Sequence, residues 1–253
     1  MFFKRRYGGT YRDYEKLICL YSFVKFFKQA FLIILSLVIL SCIDSPMPRI
    51  KLIRQSTFPY HVTTRTNNKS WFDIPIFEVW DICKLSLIYA LKKRPVEINS
   101  FVLMSNHYHL LVTTPNEDID QFMMYFNLRL SQLITKKSGH INHKFSNGYK
   151  WSIVEHRGHL FNVYRYIYQN PVRAKITSDC FSYPYSSLHF SRFEAKLLNY
   201  VPHIQYSREK SLLERSFGNE FNKVMKSSLS KTNFKASNSV SKYLRNILEK
   251  PRD

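Results

Sequence analysis

The sequence predicts an α+β fold built on a four-stranded antiparallel sheet, and three observations carry the prediction. Four short segments have strand character, two long segments repeat apolar residues at helical spacing, and they alternate as strand, helix, strand, strand, helix, strand. That order is the split β-α-β pattern of a ferredoxin-like sheet with helices on one face. One extra helix follows the last strand.

Each element has its own signal. Tyr60-His61-Val62-Thr63-Thr64 alternates and is β-branched, and it runs into the polar turn Arg65 to Ser70. From Ile76 to Lys92, apolar residues at Ile76, Phe77, Val79, Trp80, Cys83, Leu85, Leu87 and Ile88 fit a largely buried helix. Glu97 to Met104 and His107 to Thr113 form a hairpin around Ser105-Asn106. A second helix runs from Asp118, a candidate N-cap, to Thr135, with Lys136, Lys137 and Gly139 at its end. Tyr149 to Val154 is the fourth strand. The extra helix starts near His159 and runs to about Asn170, where Pro171 disturbs it.

Composition narrows the function. The chain has 253 residues, a net charge of +20 and 16% aromatic residues. Lys and Arg release counterions from a nucleic-acid backbone, and aromatic rings stack on unpaired bases. Charge alone does not separate nucleic acid from an anionic membrane or from a merely soluble basic surface. Four cysteines, Cys19, Cys42, Cys83 and Cys180, form no C-x-x-C pair, which argues against a disulfide scaffold and for a reducing, cytoplasmic setting.

The chain divides into three regions. Residues 1–46 are a doubtful N-terminal extension whose apolar run, 29–43, is shorter than the ~20 residues a spanning helix needs. We read Met47 as the effective start, with a membrane anchor as the alternative. Residues 47–190 hold the predicted sheet and its helices and are expected to form one domain. Residues 191–253, rich in Ser, Asn and Lys, are expected to be a basic, partly disordered region.

Two constellations carry chemistry. His107 and His109 are two residues apart on a strand, so both rings leave the same face and could clamp a metal. An isolated pair of this kind is more often a pair of hydrogen-bonded strand histidines. On the following helix stand Tyr164, Tyr166 and Tyr168. Residues four apart share a face, so Tyr164 lies over Tyr168 and Tyr168 over Val172, while Tyr166 alone lies over a polar amide, Asn170. Two imidazoles, that amide and phosphate oxygens make a mixed nitrogen and oxygen site suited to Mg²⁺ or Mn²⁺, with Zn²⁺ the less favoured alternative. Tyr166 is then the candidate nucleophile, whereas Tyr164 and Tyr168 are packing aromatics. Lys144, Lys150, Arg157, Arg165, Arg173 and Lys175 surround this region as candidate phosphate contacts, and Trp151 is either a stacking platform or core.

PRIKLI at 48–53, YHVTTRTNN at 60–68, FVLMSNHYHLLV at 101–112, YRYIYQNPVRAK at 164–175 and YPYSSLHF at 183–190 together resemble the REP-associated tyrosine transposases and their insertion-sequence relatives. The resemblance covers about 48–190. It implies a ferredoxin-like fold that cuts single-stranded DNA beside a hairpin, with His107, His109 and Asn170 as metal ligands and Tyr166 forming a 5′-phosphotyrosine. It further implies DNA as partner, with a homodimer as an open alternative. Two departures stand out: Thr66 and Lys175 occupy positions where the family usually has glycine. The former is expected to reshape a DNA-contacting loop and the latter to cost a favourable helix cap. A decayed or host-recruited copy that binds hairpin DNA without cutting it is the alternative function.

Overall fold

The computed structural model describes residues 51–139, 145, 148–204, 210–211, 213–215 and 218–249. The apolar run at 29–43, the proposed start at Met47 and Lys144 lie outside the described residues.

Alternation sets the sheet. Strands β1 (Tyr60–Arg65), β2 (Glu97–Leu103), β3 (His107–Thr113) and β4 (Lys150–Ile153) pair antiparallel in the order β2-β3-β1-β4. Helices α1 (Ile76–Lys93) and α2 (Ile119–Ser138) make the two crossovers. Tyr60 and Val62 of β1 and Tyr108, Leu110 and Val112 of β3 all point to one face. There they meet Val79, Cys83 and Leu87 of α1 and Phe122, Phe126 and Leu130 of α2 in a single core. The expected α+β, ferredoxin-like arrangement is therefore present. Trp151 packs edge-on against Tyr60 with ring centroids 6.2 Å apart, which assigns it to this core.

The opposite face carries the extra helix. Helix α3 (Arg157–Tyr168) ends at Gln169, and a single turn, α4 (Asn170–Arg173), follows with Pro171 at its start, where proline costs no helical hydrogen bond. Val163, Tyr164, Ile167 and Tyr168 of α3 pack on Val102 and Leu111 of the sheet. Helices α5 (Arg192–Leu197), α6 (Asn219–Ser228) and α7 (Lys242–Glu249) follow. In the region expected to be basic and partly disordered, Phe221, Met225, Leu244, Ile247 and Leu248 are buried against α3 in this second core. Leu244, Ile247 and Leu248 lie three and four residues apart on one stripe of α7, which is why they turn inward together.

Both edges of the sheet are covered by the chain's own backbone. At β2, Ile98 N–H donates to Asn199 and Val201 N–H donates to Ile98; at β4, Ile153 N–H donates to Thr232 and Phe234 N–H donates to Ile153. Unpaired edge groups invite pairing with other chains, and these contacts remove that invitation locally.

The two family departures have distinct structural consequences. Thr66 has extended backbone (φ −60°, ψ 153°) that any residue adopts, and its hydroxyl donates to the carbonyls of Ser70 and Asn106 at 2.5 and 3.1 Å. The turn is tied down rather than strained at that point. Lys175, by contrast, has φ 58° and closes the helix end, with its N–H on Val172 and that of Ile176 on Pro171. A side chain in the left-handed region costs ~1–2 kcal/mol. We expect Lys175→Gly to raise stability by about 1 kcal/mol, the strain relief being partly offset by chain entropy. Thermal denaturation checks this, and an unchanged or lower midpoint contradicts it.

Candidate active site

On the α3 side of the sheet the alternation that buries Tyr108 and Leu110 turns His107 and His109 the other way, together with His61 and Arg65 of β1. Register pairs Arg65 with His107 and Thr63 with His109, which leaves His61 diagonal to His109. The His107 and His109 rings lie 5.2 Å apart, nearly perpendicular. His61 Nε2 is 2.9 Å from His109 Nδ1, with the two ring planes 25° apart and meeting edge to edge. Asn106 Oδ1 stands 2.7 Å from His107 Nδ1. An amide oxygen only accepts, so His107 carries its proton on Nδ1 and keeps a lone pair on Nε2. The Asn106 amide is itself anchored, donating from Nδ2 to the Lys69 carbonyl at 2.8 Å.

These imidazoles are neutral at ordinary pH. Burial lowers the His61 pKa to about 3, burial and the nearby Arg65 lower that of His107 to about 4, and burial with its basic neighbours holds His109 well below 6.5. Neutral imidazole is the form that ligates a metal. It also gives a sign to the pH dependence. In the unfolded chain these histidines take protons at higher pH than in the folded one, so their contribution is complete above about 6.5 and is lost as pH falls toward 4. We expect the metal-free protein, held in chelator, to lose thermal stability steadily from pH 7 to 5, above the ordinary carboxylate range. A flat midpoint across that window contradicts the assignment.

Helix α3 sorts the three tyrosines. Tyr164 and Tyr168 are buried and stacked, their hydroxyls engaged by His203 N–H at 3.0 Å and by Ser187 Oγ at 2.9 Å respectively. Tyr166 is half-buried and faces the histidines, its ring perpendicular to that of His109 with centroids 6.0 Å apart. Burial raises its pKa, and Arg173 and Arg65 pull it back only in part. The phenol is therefore protonated at neutral pH.

Arg173 organises the end of the helix. Its guanidinium lies 4.2 Å from the Tyr166 ring centroid, and Nη2 donates to the Tyr166 carbonyl at 2.8 Å and to Asn170 Oδ1 at 2.7 Å. Asn170 Nδ2 in turn donates to the carbonyls of Tyr166 and Ile167. This fixes which way the amide points. Its oxygen has two lone pairs, so the bond from Arg173 leaves one for a further partner. Arg173 Nη1 is buried and has no hydrogen-bond partner, a donor that an anion would satisfy.

The other expected phosphate contacts are scattered. Lys150, Arg157 and Lys175 are exposed. Arg165 is instead only 5% exposed: it donates to Asn162 Oδ1 and lies 5.2 Å from the Phe221 ring centroid, between α3 and α6. Its neighbour Tyr166 points elsewhere because successive helical residues turn through about 100°. The groups that the spacing did not single out are His61, Arg65 and the supporting role of Asn106. Strand register brings His61 and Arg65 to the site, whereas Asn106 is the sequence neighbour of His107.

The residues present fit a divalent metal in part. Two neutral imidazoles on one strand face and an oriented amide are suitable donors, whereas among the described residues no group of three His, Cys, Asp or Glu side chains could hold a metal ion. A metal here would need oxygen ligands from substrate or water. Among the described residues no helix is long and apolar enough to cross a membrane.

Residues 55–170 match the family described as "Transposase IS200 like". No curated protein matches the chain. Among solved structures, a REP-associated tyrosine transposase bound to a REP hairpin is similar with a TM-score of 0.50 and 17% identity, covering 63% of this chain and 94% of that one. A crystal structure from Deinococcus radiodurans R1, which carries a provisional transposase name, covers 52% of this chain and 92% of its own at 17% identity, with a TM-score of 0.33. The first likeness speaks for the fold, and the second is too low to add to it. The matched segment runs from the approach to β1 through Asn170 and holds His61, His107, His109 and Tyr166, so residues 55–170, just under half of the chain, are similar to the IS200-like transposase family.

Proposed function

We propose that the chain cuts and rejoins single-stranded DNA at hairpin-flanked sites, with Tyr166 as nucleophile. The observation that carries this reading is the placement of Tyr166, edge-on to His109 and under the Arg173 guanidinium, while Tyr164 and Tyr168 are spent on packing. The Tyr166 oxygen gives up its proton and forms a bond to the scissile phosphorus, the bond from phosphorus to the 3′ oxygen breaks, and the departing oxygen takes up a proton, so no net proton is consumed. The downstream strand is left as a 5′-phosphotyrosine. A second 3′-OH can reverse the step on a different strand, because the ester retains the bond energy.

His107, His109 and Asn170 would hold Mg²⁺ or Mn²⁺. When bound, such an ion supplies polarisation of the phosphate and stabilisation of the departing oxygen. Arg173 Nη1 and Arg65 add positive charge beside the phenol and offer contacts to the phosphate. Exposed Lys150, Arg157 and Lys175 contact the backbone further out. The hairpin in the similar solved structure and the net charge of +20 support a folded single strand as substrate. The place of action is then the cytoplasm.

A single-stranded oligonucleotide carrying a hairpin from the flanking genome, labelled at its 3′ end, tests the proposal. The label stays with the fragment that joins tyrosine, so a labelled protein band on a denaturing gel is expected with Mn²⁺ and none with EDTA. Tight binding without any adduct in Mg²⁺ or Mn²⁺ contradicts cleavage and leaves a hairpin-binding protein.

A further inference from the structure

The mechanism above leaves His61 unused. It is 3% exposed on β1, and it reaches across the sheet to His109, whose ring also meets that of Tyr166. A nitrogen-to-nitrogen hydrogen bond holds one proton, so one ring donates and the other accepts. The outcome matters for His109 because its two ring nitrogens are distinct. If Nδ1 accepts from His61, the proton of neutral His109 sits on Nε2 and no lone pair remains there; if Nδ1 donates, Nε2 is a free ligand. The neighbouring histidine shows the same device, since Asn106 Oδ1 forces the proton of His107 onto Nδ1 and leaves its Nε2 open. The two nitrogen directions of an imidazole diverge, so with Nδ1 turned to His61 the other nitrogen of His109 points away from β1.

We infer that His61 is a positioning residue that accepts the Nδ1–H of His109, fixing its tautomer and ring orientation so that Nε2 is presented to the metal. His61 thus does from β1 what Asn106 does from the hairpin turn. The inference rests on the metal-binding reading of His107 and His109. Partners behind a ligating histidine hold its tautomer and raise its basicity, and their loss typically weakens metal binding about 10- to 100-fold.

Two measurements on the full chain test it. Side-chain ¹H–¹⁵N NMR of the metal-free protein should place the His109 proton on Nδ1 in the wild type, and a proton on Nε2 overturns the inference. Titration calorimetry with Mn²⁺ alone should find binding weakened about 10- to 100-fold in His61→Leu, which cannot accept, and largely restored in His61→Gln, whose amide oxygen can. Far-ultraviolet circular dichroism of each variant separates misfolding from lost positioning. Equal Mn²⁺ affinity in wild type and folded His61→Leu overturns the inference alone. A wild type that takes up no Mn²⁺ overturns the metal-binding reading and this inference with it.

Discussion

Tyr166→Phe is expected to bind hairpin DNA as the wild type does and to form no covalent adduct at any metal concentration. Phenylalanine keeps the ring that packs against His109 and lies under Arg173, so the end of α3 and the hydrogen bonds to the Tyr166 carbonyl persist. Only the hydroxyl, the proposed nucleophile, is removed. The contrast lies in the other two tyrosines. Tyr164→Phe and Tyr168→Phe delete buried hydrogen bonds to His203 and Ser187, at a cost of roughly 0.5–1.5 kcal/mol each, yet they should retain adduct formation. Adduct that survives in Tyr166→Phe, or vanishes only in one of its neighbours, assigns the nucleophile to a different residue.

Arg173→Ala is expected to slow adduct formation by about 10²–10³-fold, the range seen when one preorganised donor to a developing charge is removed. The side chain has three tasks at once: it lies over the Tyr166 ring, holds the backbone of that residue, and orients the Asn170 amide. Its Nη1 is buried without a hydrogen-bond partner. Leaving such a donor unsatisfied is costly, and a phosphate oxygen removes that cost only when substrate is bound. Arg173→Lys should rescue little, because an ammonium lacks the planar fork that reaches Asn170 and Tyr166 together. Single-turnover adduct kinetics give the measurement. A full-rate Arg173→Lys variant would mean that only charge matters here, and a full-rate Arg173→Ala would remove the residue from the site.

Much of this arrangement was legible in the chain. The strands at 60–65, 97–103, 107–113 and 150–153 fall within a residue or two of where alternation put them, because each has one face against a core. Helical spacing separated Tyr166 from Tyr164 and Tyr168, and their burial agrees with that division. His61 was illegible for a physical reason. A lone histidine in an alternating strand looks like any polar neighbour until antiparallel register sets it diagonal to His109. Arg165 shows the opposite difficulty: its charge drew attention to it, while the partners that bury it, Asn162 and Phe221, come from its own helix and from one more than fifty positions away. The apolar stripe of α7 was masked by a serine-, asparagine- and lysine-rich composition, although Leu244, Ile247 and Leu248 have helical spacing.

The central claim is that Tyr166 becomes covalently joined to DNA, and mapping the adduct tests it most directly. Trypsin cutting after Arg157, Arg165 and Arg173 separates Tyr164 from a peptide that begins at Tyr166 and also contains Tyr168. Mass spectrometry of the nuclease-trimmed adduct should find the added nucleotide on that second peptide, and fragmentation should place it on its first residue. A nucleotide on Tyr164 or Tyr168, or on no tyrosine at all, contradicts the account.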